Sequence, residues 1–134
     1  MGCGCNSCRA RGGNSKPPDA LALPGVRMGL LVIVAYRPKK GKDKALLAVV
    51  RKHVRVLRAQ GLATARPAYV MRSKNGTLVE VFEWKSATAV SKAHRNPAVL
   101  RLWKEFEAAC TYVSLGKLPE AKEMFASFTH VAVT

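Results

Sequence analysis

Residues 28–133 carry a succession of hydrophobic periods, and each change of period marks a new element. Gly29 to Tyr36 is apolar at nearly every position, which predicts a strand covered on both faces. Pro38-Lys-Lys-Gly41 then breaks the chain. Lys42 to Gln60 repeats apolar side chains at Leu46, Val49, Val50, His53, Val54 and Leu57, the spacing of one helical face. Asp43 sits at the positive end of that helix's dipole and Arg55 and Arg58 near its negative end, with Gly61 placed as a left-handed cap.

Arg66 to Ser73 and Thr77 to Lys85 read as two strands joined through Lys74-Asn75-Gly76, and Asn-Gly between apolar strands signals a hairpin. Ser86 to His94 is a short helix. Asn96 suits an N-cap and Pro97 a first helical position, so a longer helix is expected from Pro97 to Val113. Val99, Leu102, Trp103, Phe106, Cys110 and Val113 lie on its apolar stripe. Leu115 to Glu123 reads as loop with one turn, and Met124 to Val133 alternates as a final strand.

The order is β-α-β-β-α-β, which predicts an α+β, ferredoxin-like fold of four antiparallel strands with the helices on one face. The other face is apolar too. A symmetric homodimer that buries the two free faces against each other would complete such a sheet.

Composition fits a single domain behind an arm. Residues 1–27 are rich in Gly and Pro without periodicity and are expected to be a disordered basic arm before a domain over 28–134. The net charge is +15, of which the arm supplies +3 and the rest of the chain +12. A field of that size attracts anions, nucleic acid or acidic membranes without specificity. Met-Gly-Cys-Gly-Cys at the start approaches an acylation signal, but Asn6 stands where Ser or Thr is wanted. Cys3, Cys5 and Cys8 lack a fourth ligand nearby, so no metal is expected, and Cys110 reads as an inert buried thiol. No apolar run is long enough to span a bilayer, which leaves a cytoplasmic protein without integral membrane association as the expectation.

Candidate chemistry gathers where the third strand runs into the two later helices. Glu83, Trp84, His94 and Trp103 are expected near one crevice between sheet and helices. His94 suits either a helix-end contact with the last carbonyls or a pocket base. Glu80 lies between Leu78 and Phe82 on one apolar face and Glu83 follows Val81 on the other. Each needs a partner, an Arg or Lys, or serves unpaired as a general base. Trp84, Trp103, Phe82 and Phe106 suit either core or the walls of a site for an apolar or aromatic small molecule, and Tyr36, Tyr69 and Tyr112 can bring hydroxyls to it. His53, in the apolar stripe of the first helix, reads as a satisfied boundary histidine, and His130 likewise.

The Pro38–Gly41 turn, Gly61-Leu62, Glu80-Val-Phe-Glu-Trp84, Ala93-His94 with Pro97, Leu102-Trp103 and Pro119-Glu120-Ala121 with Phe125 together resemble a known family. From about Met28 to Val133 the chain is similar to the antibiotic-biosynthesis-monooxygenase-like domains of the dimeric α+β barrel superfamily, a likeness covering about four-fifths of its length. The resemblance implies a homodimeric barrel. It also implies, as one activity among the family's several, a monooxygenase that needs no cofactor and oxidises an aromatic or otherwise apolar substrate. A base among His94, Glu83 and Glu80 would then deprotonate the substrate, with Trp84, Trp103, Phe82, Phe106 and Tyr36 as the substrate-binding set. Haem degradation, another activity in that family, does not fit. Trp84 and His94 have its spacing of ten, but Trp84 ends a strand where that branch has a helix, and strand one lacks its Asn.

Two other functions compete. One is a non-catalytic ligand-binding or regulatory dimer. The other is RNA binding, since RNA-recognition motifs share the element order. The third strand here lacks their glycine and carries two carboxylates that repel phosphate, so no specific nucleic-acid partner is expected.

Overall fold

The computed structural model describes residues 29–133, and the arm expected over residues 1–27 lies outside the described residues. Strand β1 (Leu30–Pro38) leads into helix α1 (Asp43–Ala59). Gly41 and Gly61 bracket that helix, both at a φ of +73°, a conformation that side-chain-bearing residues resist. Strands β2 (Tyr69–Arg72) and β3 (Leu78–Trp84) form the expected hairpin. The Asn75 side chain accepts from the Thr77 N–H at 3.0 Å across the turn. Helix α2 (Ala87–Ala93) opens on Ser86, whose hydroxyl accepts from the Ala89 N–H at 3.1 Å. Helix α3 (Pro97–Ala109) follows, then strands β4 (Cys110–Val113) and β5 (Thr129–Val131), with two 3-10 turns between them.

The sheet has five strands, all antiparallel, in the order β4-β1-β3-β2-β5. This corrects the expectation of four. The long helix ends four residues early, because Cys110 is fully extended (φ −151°, ψ 171°) and starts the strand that flanks β1. Thr111, Tyr112 and Val113 favour a pleated surface, yet their apolar spacing also satisfied a helical stripe. The strand expected over Met124–Val133 shrinks to three residues and becomes an added edge beside β2. The arrangement is α+β, consistent with a ferredoxin-like core carrying a fifth strand.

The core sits between the sheet and the helices. Tyr36, Leu46, Val49, Val70, Leu78, Leu102 and Phe106 pack together, and a second cluster joins Leu57, Phe82, Trp84, Ala93 and Val99. Tyr36 and Phe106 stack with ring centres 4.8 Å apart. On the opposite face the segment after β4 crosses the sheet and lays Leu118 and Phe128 against Ala35, Val79 and Met71. Glu120 anchors it, accepting from the Ser73 hydroxyl at 2.7 Å and the Lys74 N–H at 2.9 Å. The crossing stops short of Leu31, Ile33 and Tyr69, which stay 61%, 52% and 63% exposed. No helix among the described residues is long and apolar enough to cross a membrane.

The start of α3 depends on one side chain. Asn96 Oδ1 accepts from the N–H groups of Ala98 and Val99 at 2.9 and 3.2 Å, just before Pro97. Asn96→Ala is expected to lower unfolding free energy by about 1 kcal/mol in urea titration, while Asn96→Asp, which keeps the acceptor, stays near wild type.

Candidate functional site

A cavity of about 380 Å³ lies between the sheet and the helices, its walls mainly apolar. The sheet supplies Val32, Val34, Tyr36, Phe82 and Trp84, all on one face by the alternation of β1 and β3. Helix α3 supplies Trp103 and Phe106, and α1 supplies His53. His94, at the end of α2, is exposed and stands at the rim, its ring 4.9 Å from that of Trp103 and nearly perpendicular to it. Tyr112, on β4, completes the wall beside Tyr36. Burial pushes its phenol up to about 12, so it enters the cavity as a neutral hydroxyl.

Behind the cavity wall lies a buried polar cluster on Glu80, which is 1% exposed. Tyr36 Oη donates to Glu80 Oε1 at 2.6 Å, and His53 Nδ1 lies 2.7 Å from the same oxygen. A carboxylate oxygen only accepts, so Nδ1 carries a proton and Nε2 is the free end of the ring. Desolvation holds the Tyr36 phenol well above its usual range, with the Glu80 charge and hydrogen bond adding to it. The His53 ring meets Phe82 and Phe106 edge-on at 5.0 and 4.9 Å. Among the described residues, Thr77 Oγ1 is the one fully buried side-chain nitrogen or oxygen without a hydrogen-bond partner. His53 Nε2 has no hydrogen-bond partner among the described residues, and the His53 ring lines the cavity.

The structure therefore brings together seven of the eight residues expected in the site. Tyr36, Phe82, Trp84, Trp103, Phe106 and His94 line the cavity, and Glu80 backs it through Tyr36 and His53. Glu83 is elsewhere. It follows Val81 on the opposite face, where Oε1 accepts from Arg66 Nε and Thr64 Oγ1, both at 2.8 Å, and Oε2 from the Gly29 N–H at 3.2 Å. Successive strand residues point to opposite faces, so Glu83 and Trp84 cannot share a crevice. His53 is the functional candidate that the sequence reading set aside. Its signal was a second polar residue at a buried position, facing the lone acid on the apolar side of β3. Glu80 takes this histidine and a tyrosine as partners rather than an Arg or Lys.

Cys110 is buried and free, and burial raises its thiol to about 11, which leaves it unreactive. It lies at the start of β4 rather than on a helix. Among the described residues no cluster of three or more His, Cys, Asp or Glu is placed to hold a metal ion. The chain matches no protein-family model, and a search of curated proteins finds no significant relative.

The Glu83 ion pair has a pH signature. Hydrogen bonds from Arg66 and then Thr64 hold its carboxyl below the ordinary 4.5. A depressed folded-state value stabilises the protein above the unfolded value, and this contribution is lost as pH falls through the folded one. Urea unfolding below about pH 4.5 should show an acid loss of stability that is shallower in Arg66→Gln.

Proposed function

We propose that this chain binds an apolar, ring-bearing small molecule in the cavity between sheet and helices, and that His53 accepts a proton from it there. The observation that carries this reading is the His53–Glu80 pair. A carboxylate fixes Nδ1 as the protonated nitrogen, leaving Nε2 as a basic lone pair at the wall of an apolar cavity. Glu80 acts as a positioning residue behind it. Tyr36 ties Glu80 to β1 and stacks on Phe106, so the imidazole is braced by groups that leave little freedom for another rotamer.

The resemblance to the monooxygenase-like domains extends this to a reaction class. A substrate made electron-rich by deprotonation can react with dioxygen directly, and the protein then needs a base and a dry pocket but no cofactor. The Trp84, Phe82, Phe106 and Trp103 rings suit the walls of such a pocket, with Tyr112 and Tyr36 offering hydroxyls. His94 is at the rim and makes no hydrogen bond to another described side chain, so it can contact a ligand entering the cavity but is not held as a base would be.

A screen of aromatic, quinol-like and aldehyde compounds by thermal shift supplies the ligand. With a turned-over compound in hand, His53→Gln is expected to lower kcat by roughly 10²–10⁴ with a smaller change in KM. His94→Ala is expected to change KM more than kcat. Equal activity of wild type and His53→Gln would remove the base from the mechanism and leave a binding protein.

The same domain is proposed to work as a homodimer through the uncovered sheet face. Leu31, Ile33 and Tyr69 form an apolar patch that a second copy would bury about a two-fold axis. Light scattering at micromolar concentration should give twice the chain mass, and Ile33→Asp should give a folded monomer. A wild-type monomer overturns the dimer.

A further inference from the structure

A second cavity, of about 260 Å³, lies on the other side of Glu80. One wall is the outer edge of α1, where Arg51, Arg55 and Arg58 follow each other at spacings of four and three, which places them on one helical stripe. Arg58 is tied in place, donating from Nε to the Thr64 carbonyl at 2.8 Å and from Nη2 to the Arg66 carbonyl at 2.6 Å. Arg51 Nε reaches the Ala132 carbonyl at 3.4 Å. These bonds fix the stems and leave further guanidinium N–H donors unused. Among the described residues the ion pairs involve Lys52, His53, Arg66 and Lys74, and none involves these three arginines. Three like charges on one stripe repel each other, and an anion seated among them removes that repulsion.

The floor of this cavity has the opposite sign. Both hydrogen bonds to Glu80 end on Oε1. Oε2 has no hydrogen-bond partner among the described residues. Glu80 is among the residues that line the arginine cavity, and it does not line the apolar one. A buried carboxylate oxygen at the base of a cationic rim asks for a ligand that is anionic at one end and donates a hydrogen bond at the other. Inorganic phosphate supplies the charge but brings a second negative group toward Glu80.

We propose that this groove binds a small hydroxylated phosphate ester, its phosphoryl oxygens on Arg51, Arg55 and Arg58 and a hydroxyl donating to Glu80 Oε2. The site is separate from the apolar cavity and does not require that cavity to be catalytic. Calorimetric titration of the full chain at about 150 mM salt with ribose 5-phosphate, propyl phosphate and inorganic phosphate tests it. Ribose 5-phosphate is expected to bind at one site per chain, roughly tenfold more tightly than propyl phosphate, which has the charge but no hydroxyl. Arg55→Gln should weaken binding by a similar factor at an unchanged unfolding temperature, and Arg101→Gln, on the exposed side of α3, should leave it intact. The proposal is overturned if ribose 5-phosphate shows no saturable binding, if the two simpler phosphates bind as tightly, or if Arg101→Gln costs as much as Arg55→Gln. An RNA oligomer that binds more tightly than ribose 5-phosphate with the same Arg55 dependence would also overturn it, in favour of a nucleic-acid surface.

Discussion

The hydrogen bonds from Tyr36 and His53 to one oxygen of Glu80 tie together the elements that enclose the apolar cavity. They connect β1, α1 and β3 at a point where all three side chains are buried. An isolated carboxylate there would cost several kcal/mol in desolvation, and two donors within 2.7 Å offset it. Break-even is the usual outcome for such clusters, and well-packed apolar side chains of the same volume serve stability as well or better. The cluster is therefore poorly explained as a stabilising device. What it does is hold the His53 imidazole, whose ring lines the apolar cavity, with Nδ1 fixed on Glu80.

Alternation along β3 separates the chemistry of the two sheet faces. Leu78, Glu80, Phe82 and Trp84 point to the helices, while Val79, Val81 and Glu83 point away. Each face thus receives one carboxylate, and each solves its burial differently. Glu80 takes a phenol O–H and an imidazole N–H in a buried setting. Glu83 takes a guanidinium at the edge of solvent, and the result is a carboxyl held below its ordinary range. Only the first arrangement involves an imidazole, whose Nε2 has no hydrogen-bond partner among the described residues.

Most of the fold was legible because its signals are local. Asn96-Pro97, Asn75-Gly76, Gly61 and the α1 stripe each act within a few residues, and the structure uses each as its chemistry dictates. The errors came where a pattern fits two periods. Cys110 and Val113 continue a helical stripe, yet Thr111-Tyr112-Val113 pairs with β1 because that edge was open and the residues suit it. The wall residues of the site were legible as aromatic and apolar positions on known faces. The pairing of His53 with Glu80 was not, because the two lie 27 residues apart on different elements and only the packing of α1 on β3 joins them. Reading each as a separate buried polar residue missed that they answer each other.

The charge of the domain follows from the same internal commitments. Glu80, Glu83 and Glu120 are buried and hydrogen-bonded within the fold. Of the remaining carboxylates in the described residues, Glu105 pairs with Lys52 and Glu123 with Lys74. The acidic residues are thus largely engaged, while the cations stand mostly on the surface without partners of opposite sign. A diffuse positive field is the expected result, and by itself it selects nothing. Selection requires that some of those cations converge where geometry and a second kind of contact restrict the ligand. The proposed groove would meet that condition, because Arg51, Arg55 and Arg58 share its lining with Glu80, and the carboxylate makes charge alone an insufficient fit.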